Sequence, residues 1–207
     1  SIFSEKLLKD QTIIITGSSS GIGKETAQLL KKLGARLILI SRSKERLLSI
    51  SEFQDPNNVV CLEIDLSQNH LDLQIFDNLP TKLLPLTGVF HCAGQEMLKP
   101  LPLVSTKEYE KLSSLSLQSV FLFGKAATKS KYFADGSSLV FMSSVASIIG
   151  TPGMSQYSSI KSAINGASLS IAAELAFRKI RVNTILAGAI ETPMHKRLTS
   201  KLSEKSL

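Results

Sequence analysis

Apolar residues gather in six short, nearly unbroken runs along the chain: "TIIITG" (12–17), "ARLILIS" (35–41), "VVCLEIDLS" (59–67), "LTGVFHCAG" (86–94), "SSLVFMSS" (137–144) and "IRVNTILAG" (180–188). None alternates apolar and polar residues, as a strand with one wet face does. Continuous runs are the pattern of strands covered on both faces. Between the runs the period lengthens. "GKETAQLLKKLG" (23–34) places Ala27, Leu30 and Leu33 on one helical face and stops at Gly34. Further helical patterns cover 106–131 and 155–178. Strand alternating with helix predicts an α/β fold, a doubly wound parallel sheet with right-handed crossovers. No repeat, low-complexity segment or linker divides the chain, so residues 1–207 are expected to form a single domain.

At 207 residues and 43% hydrophobic, the chain can bury a sizeable core. The formal charge is +7 and the pI about 9.4. The basic residues are dispersed, apart from a tail with His195, Lys196, Arg197, Lys201 and Lys205, and there is no Trp to interleave with them. No nucleic-acid partner is expected. No apolar run approaches the ~20 residues of a membrane span, and no basic-then-apolar leader is seen. A cytoplasmic protein without membrane contact is expected. Cys61 and Cys92 lie near the ends of apolar runs and read as buried free thiols of a reducing compartment. His70, His91 and His195 are scattered, so no metal site is predicted. The sequence runs from Ser1 to a polar end at Leu207, and a longer natural chain is expected.

The first strand runs into "TGSSSGIG", with Gly17, Gly21 and Gly23 spaced G-x-x-x-G-x-G. Glycine permits positive φ and lets a phosphate approach the backbone. The helix that follows offers unpaired N–H groups and a positive dipole end. The turn reads as a dinucleotide cradle or, without a ligand, as a tight strand-to-helix connection. After the second strand stand Ser41 and Arg42, where an NAD site usually carries an acid. A guanidinium there pairs with a 2′-phosphate and favours NADP. The plain alternative is a solvated Arg beside Lys44 and Arg46.

Near the fifth run come Ser143 and Ser144. Thirteen residues after Ser144 stands Tyr157, four residues before Lys161. A spacing of four is about one helical turn, so Tyr157 and Lys161 share a face. An ammonium beside a phenol favours the phenolate, by up to roughly three pK units at ~4 Å and an effective dielectric of ~20. Strand alternation points Ser143 away from Ser144.

Taken in order, these residues resemble the short-chain dehydrogenase/reductase family. "TGSSSGIG" is similar to its TGxxxGxG turn, "HCAG" (91–94) stands where the family shows NNAG, and "YSSIK" is similar to its Tyr-x-x-x-Lys pair. "AGAIETPM" (187–194) resembles PGxxxTxM. The resemblance implies a Rossmann-like NAD(P)-binding domain with integrated catalytic residues, and a lid and seventh strand beyond the six readable ones. It implies a catalytic set of Ser144, Tyr157 and Lys161, with Ser116 where the family carries Asn. It implies cofactor contacts from Gly17, Ser19, Ser20, Gly21, Ile22, Gly23, Ser41, Arg42, Asp65, Leu66, Ala93, Gly94, Tyr157, Lys161, Gly188, Ile190 and Thr192. Asp65 would contact the adenine, and Ile190 and Thr192 the carboxamide and diphosphate.

The implied activity is that of an NADPH-dependent carbonyl reductase or alcohol dehydrogenase, with NADP(H) favoured over NAD(H). Hydride goes to a ketone or 3-oxoacyl-type substrate and Tyr157 acts as general acid. A homodimer or homotetramer through the long helices is implied. The loop 94–105 is expected to form one wall of the pocket, mostly apolar apart from Glu96 and Lys99. His91 reads as a packing residue and Cys92 as a small buried hydrophobe, while Ala187 stands in place of a proline. The Ser116 replacement keeps a second reading open: a non-catalytic dinucleotide-binding sensor or partner-binding module on the same fold.

Overall fold

The computed structural model describes residues 3–68 and 71–203, so His70 and Lys205 lie outside the described residues. Its strands are β1 (Thr12–Thr16), β2 (Arg36–Ser41), β3 (Val59–Glu63), β4 (Leu86–His91), β5 (Phe133–Ser144) and β6 (Arg181–Ala187). They form one parallel sheet in the order β3-β2-β1-β4-β5-β6. The helices are α1 (Gly21–Lys32), α2 (Lys44–Leu48), α3 (Gln74–Asp77), α4 (Thr106–Ser113), α5 (Ser119–Ala127), α6 (Ser155–Leu175) and α7 (Pro193–Ser203).

Successive strand residues serve opposite faces. Ile14, Ile38, Ile40, Val89, Leu139 and Phe141 pack with Phe76, Phe123 and Ile164 on one side. Ile15, Leu37, Leu39, Phe90 and Met142 pack with Ala27, Leu47 and Phe53 on the other. Both faces are covered, which is why the runs are apolar throughout. The winding leaves β1 toward β3 on one side and toward β6 on the other. The direction reverses beside β1, and a crevice opens beyond the carboxyl ends of β1 and β4.

α1 ends as expected. The Gly34 and Ala35 N–H groups donate to the carbonyls of Lys31 and Leu30, closing a Schellman motif. Several boundaries differ from those read from the sequence. The third strand ends at Glu63, because the Asp65 carboxylate accepts the Ser67 N–H and bends the chain into a turn. The fourth ends at His91. The fifth begins early, at Phe133, with an irregular register against β4 between Leu86 and Gly88. The pattern over 106–131 is not one helix. A π-helical turn, Ser114–Gln118, separates α4 from α5, and the Ser119 hydroxyl donates to the Ser114 carbonyl across it. Among the described residues no helix is long and apolar enough to cross a membrane.

Arg178 fastens the start of the strand that carries Ser144. Its side chain is 7% exposed. It donates to the carbonyls of Ala127 and Phe133 and to the Asp135 carboxylate, joining the ends of α5 and α6 to the start of β5. Arg178→Met strands those carbonyls and leaves volume almost unchanged. The expected loss is about 3 kcal/mol, measured from the urea unfolding midpoint. A loss below about 1 kcal/mol would show that water replaces the guanidinium.

Candidate active site

A cleft of about 1020 Å³ lies across the carboxyl ends of the central strands. Of the residues singled out above, Gly17, Ser19, Ser20, Gly21, Ile22, Ser41, Arg42, Leu66, Ala93, Gly94, Ser144, Tyr157, Lys161, Gly188, Ile190 and Thr192 line it. Gly23, Asp65 and Ser116 do not. Gly23 lies beneath the turn: a Cβ there would stand 2.5 Å from the Gly17 carbonyl oxygen. Asp65 is turned onto Ser67, whose N–H and hydroxyl both donate to its carboxylate. Desolvation opposes its ionisation, but those bonds and the charges of Arg42 and Lys111 outweigh it and hold the carboxyl below the usual range. Ser116 is buried in the π-helical turn, and its hydroxyl has no hydrogen-bond partner.

At Gly17, φ is +68° and a Cβ would press to 2.9 Å from the Ala93 backbone. Only glycine fits both restraints. The turn delivers the chain to α1 with Ser20 in the cap position, but no side chain caps the helix and no acid occupies its first turn. No cap residue therefore covers the leading N–H groups of α1, although the Gly23 N–H points to the Cys92 sulfur. An uncapped N-terminus beside a turn too tight for side chains suits a diphosphate.

At the end of β2 the Ser41 hydroxyl donates to Ser19, and Arg42 and Arg46 both border the cleft. Arg46, expected only as a solvated neighbour of Arg42, is a further cleft residue. Arg42 precedes α2 and Arg46 lies within it, with Ser43 extended between them, so the fold and not helical spacing brings both to the cleft. Across the cleft, Thr192 accepts the His195 N–H and caps α7.

β5 and α6 supply the remaining groups. The Ser143 hydroxyl donates to the Lys161 carbonyl (3.0 Å), so Ser143 faces the helix. Ser144 faces the cleft; its oxygen accepts the Ala146 N–H at 3.2 Å. Lys161 Nζ donates to the Met142 carbonyl at 2.7 Å and lies 5.6 Å from the centre of the Tyr157 ring. Burial pushes the Lys161 ammonium down to about 8. Tyr157 departs from expectation. Burial pushes its phenol up, and the charges of Glu96 and Cys92 add to that, against an opposing hydrogen bond with Ser144. The ammonium is engaged by Met142 and is itself depressed, so it does not draw the phenol down. Tyr157 stays protonated at neutral pH.

His91 is 1% exposed. Thr16 Oγ1 accepts the Ala93 N–H (3.0 Å) and lies 2.7 Å from His91 Nδ1. The Ser116 carbonyl, 3.2 Å from Nε2, can only accept, so the neutral ring carries its proton on Nε2 and Nδ1 accepts from the Thr16 hydroxyl. Desolvation and the Lys161 charge push the imidazole down to about 3, so it is neutral. His91 is a packing residue that ties β1 and β4 to the π-helical turn. Cys92 is partly buried and borders the cleft, where a buried thiol was expected, because β4 has already ended at His91. Its thiol is pushed up to about 11 by burial. Among the described residues no cluster of His, Cys, Asp or Glu fits a metal ion.

Residues 11–203 match the family model described as short chain dehydrogenase. The chain is 29% identical over 202 residues to the 3-oxoacyl-[acyl-carrier-protein] reductase FabG of Thermotoga maritima, covering 97% of this chain and 82% of that protein. It is 30% identical over 200 residues to the 3-oxoacyl-[acyl-carrier-protein] reductase of Mus musculus, covering 96% and 83%. Among solved structures, a short-chain dehydrogenase/reductase from Brucella melitensis superposes with a TM-score of 0.86 at 26% identity, over 94% of this chain and 79% of that one. A short chain dehydrogenase from Shigella flexneri, complexed with NADP, superposes with a TM-score of 0.75 at 27% identity, over 94% and 83%.

The buried ammonium makes a stability prediction. The folded-state pKa of Lys161, about 8, lies below the ordinary 10.5. Between those values the unfolded chain holds the proton and the folded chain does not, so stability rises with pH across that window. Lys161→Met removes the burial cost and strands only the Met142 carbonyl. The variant is expected to be about 2 kcal/mol more stable at pH 7, with the advantage shrinking toward pH 10.5. Chemical denaturation at pH 7 and pH 10 checks this; a less stable variant would contradict it.

Proposed function

The chain belongs to the short-chain dehydrogenase family of NAD(P)-dependent oxidoreductases acting on carbonyl and hydroxyl groups, and from that premise we propose that it is an NADPH-dependent carbonyl reductase, in reverse an alcohol dehydrogenase. The observation that carries this reading is the meeting of Ser144, Tyr157 and Lys161 in the cleft that also holds the glycine turn. A sensor or binding module has no use for a proton donor, a hydrogen-bond donor and a buried ammonium in that cleft.

A nicotinamide dinucleotide supplies the hydride when bound. The amides of the turn and of α1 would hold its diphosphate. Gly17, Ser19, Ser20, Gly21, Ile22 and Gly23 shape that cradle, and Gly188, Ile190 and Thr192 close its other side. Arg42, with Arg46, would take the 2′-phosphate, since Ser41 puts no carboxylate there. Leu66 would border the adenine, held in place by the Asp65–Ser67 turn, with Ala93 and Gly94 lining the floor.

The raised Tyr157 pKa suits a proton donor in the reduction direction. The phenol keeps its proton until negative charge grows on the carbonyl oxygen, then delivers it there. Ser144 donates a hydrogen bond to the same oxygen, where the charge develops. Lys161, titrating near neutrality, replenishes the Tyr157 proton. Ser116 keeps an unpartnered buried hydroxyl, and a water held there would extend that path. The substrate is a ketone or a 3-oxoacyl group, the second suggested by the relatives' names.

Phe121, Leu169 and Phe177, on or beside α5 and α6, are 53%, 75% and 81% exposed, which supports assembly as a homodimer or homotetramer through these helices.

Two experiments test the reading. Fluorescence titration is expected to show tighter binding of NADPH than NADH. Arg42→Ala should weaken NADPH at least about tenfold, or 1.4 kcal/mol, with a much smaller effect on NADH; equal affinities would remove the NADP assignment. Tyr157→Phe should lower kcat for ketone reduction by about 10² to 10⁴ while NADPH still binds. Full turnover by that variant would refute the general-acid role.

A further inference from the structure

Glu96 belongs to none of the motifs above, yet it occupies the same cleft as Ser144 and Tyr157. Its side chain is 10% exposed. The two carboxylate oxygens differ. Oε1 pairs with Arg197 Nε of α7 at 3.3 Å. Oε2 is buried and has no hydrogen-bond partner. A buried acceptor left unpaired carries a desolvation penalty, and native structures rarely retain one without a reason. Here the reason is at hand: Glu96 lines a cleft built to admit a ligand, and a small rotation of the carboxylate brings Oε2 to it. Glu96 and Tyr157 line one cleft, and the carboxylate charge helps hold the phenol's proton on. A ligand that meets Glu96 therefore shares the cleft with the reacting carbonyl.

The type of donor follows from the charge balance. Arg197 already neutralises the carboxylate through Oε1, so Oε2 calls for a neutral donor. Apolar side chains, among them Val145, Ile149, Met154 and Met194, line the same cleft. Resting on the reductase reading, we propose that Glu96 is a specificity-determining residue, accepting a hydrogen bond from a substrate hydroxyl one or two carbons from the carbonyl. The preferred substrates are hydroxyketones and, in reverse, vicinal or 1,3-diols. A site built to bond a hydroxyl discriminates strongly against the analogue that lacks it, because the acceptor is then left unpaired.

The test measures kcat/KM with NADPH for 1-hydroxy-2-butanone, 4-hydroxy-2-butanone and 2-butanone. At least one hydroxyketone is expected to exceed 2-butanone tenfold or more in the wild type. That ratio should fall to near one in Glu96→Leu and be partly retained in Glu96→Gln, whose amide oxygen still accepts. Retention in Glu96→Gln separates recognition from a folding defect. A ratio near one in the wild type, an unchanged ratio in Glu96→Leu, or a larger preference for 1-amino-2-butanone would each overturn the proposal. So would reduction of 2-butanone by NADPH-loaded enzyme that leaves both hydroxyketones untouched. Failure to bind NADPH, or to reduce any of the three ketones, would instead overturn the reductase reading beneath it.

Discussion

Lys161 carries its ammonium into a place that is 4% exposed, with the Met142 carbonyl as acceptor. Burying a charge is unfavourable, and the depressed pKa expresses that cost. The surroundings must hold α6 at a set height over β5, or the ammonium would escape to water. Ser143 does this from below by donating to the Lys161 backbone carbonyl. Ile160 and Ile164, on the same helix, are sealed into the interior. Once α6 is fixed, Tyr157 is fixed one turn earlier, and strand alternation brings Ser144 to it from β5. The reactive end of the cleft is thus a consequence of packing one charged helix residue against one strand.

The other end depends on backbone contact. Gly17 presses against Ala93, and Gly23 presses against Gly17. β1 and β4 approach there so closely that no side chain fits between turn and strand. Thr16 and His91 continue the contact inward and reach the Ser116 carbonyl of the π-helical turn. A neutral histidine in this position couples three elements by hydrogen bonds and leaves no charge in the core.

Much of this was legible in the chain. Unbroken apolar runs declared a doubly covered parallel sheet, and Gly17, Ser144, Tyr157 and Lys161 could be placed at strand ends and on a helix face by spacing. The π-helical turn was not legible, since inserting one residue into a turn leaves the apolar pattern of 106–131 nearly intact. The early start of β5 was hidden because "ADGSS" reads as a turn. The direction of the Tyr157 shift was misjudged for a different reason. Spacing shows that a lysine shares a face with a tyrosine, but not that Met142 engages the ammonium or that Glu96 stands near the phenol. Glu96 itself had only its position in a loop to mark it, and its role depends on which oxygen Arg197 covers.

The claim at the centre is that this cleft passes hydride to a carbonyl carbon while Tyr157 supplies the proton. The most direct measurement is transfer of deuterium from NADPH carrying two deuterons at the nicotinamide C4 to a ketone, followed by NMR of the alcohol formed. The label is predicted at the carbinol carbon, on a single face, with the wild-type protein and not with Tyr157→Phe. Alcohol formed without the label, or labelled equally well by Tyr157→Phe, would contradict it.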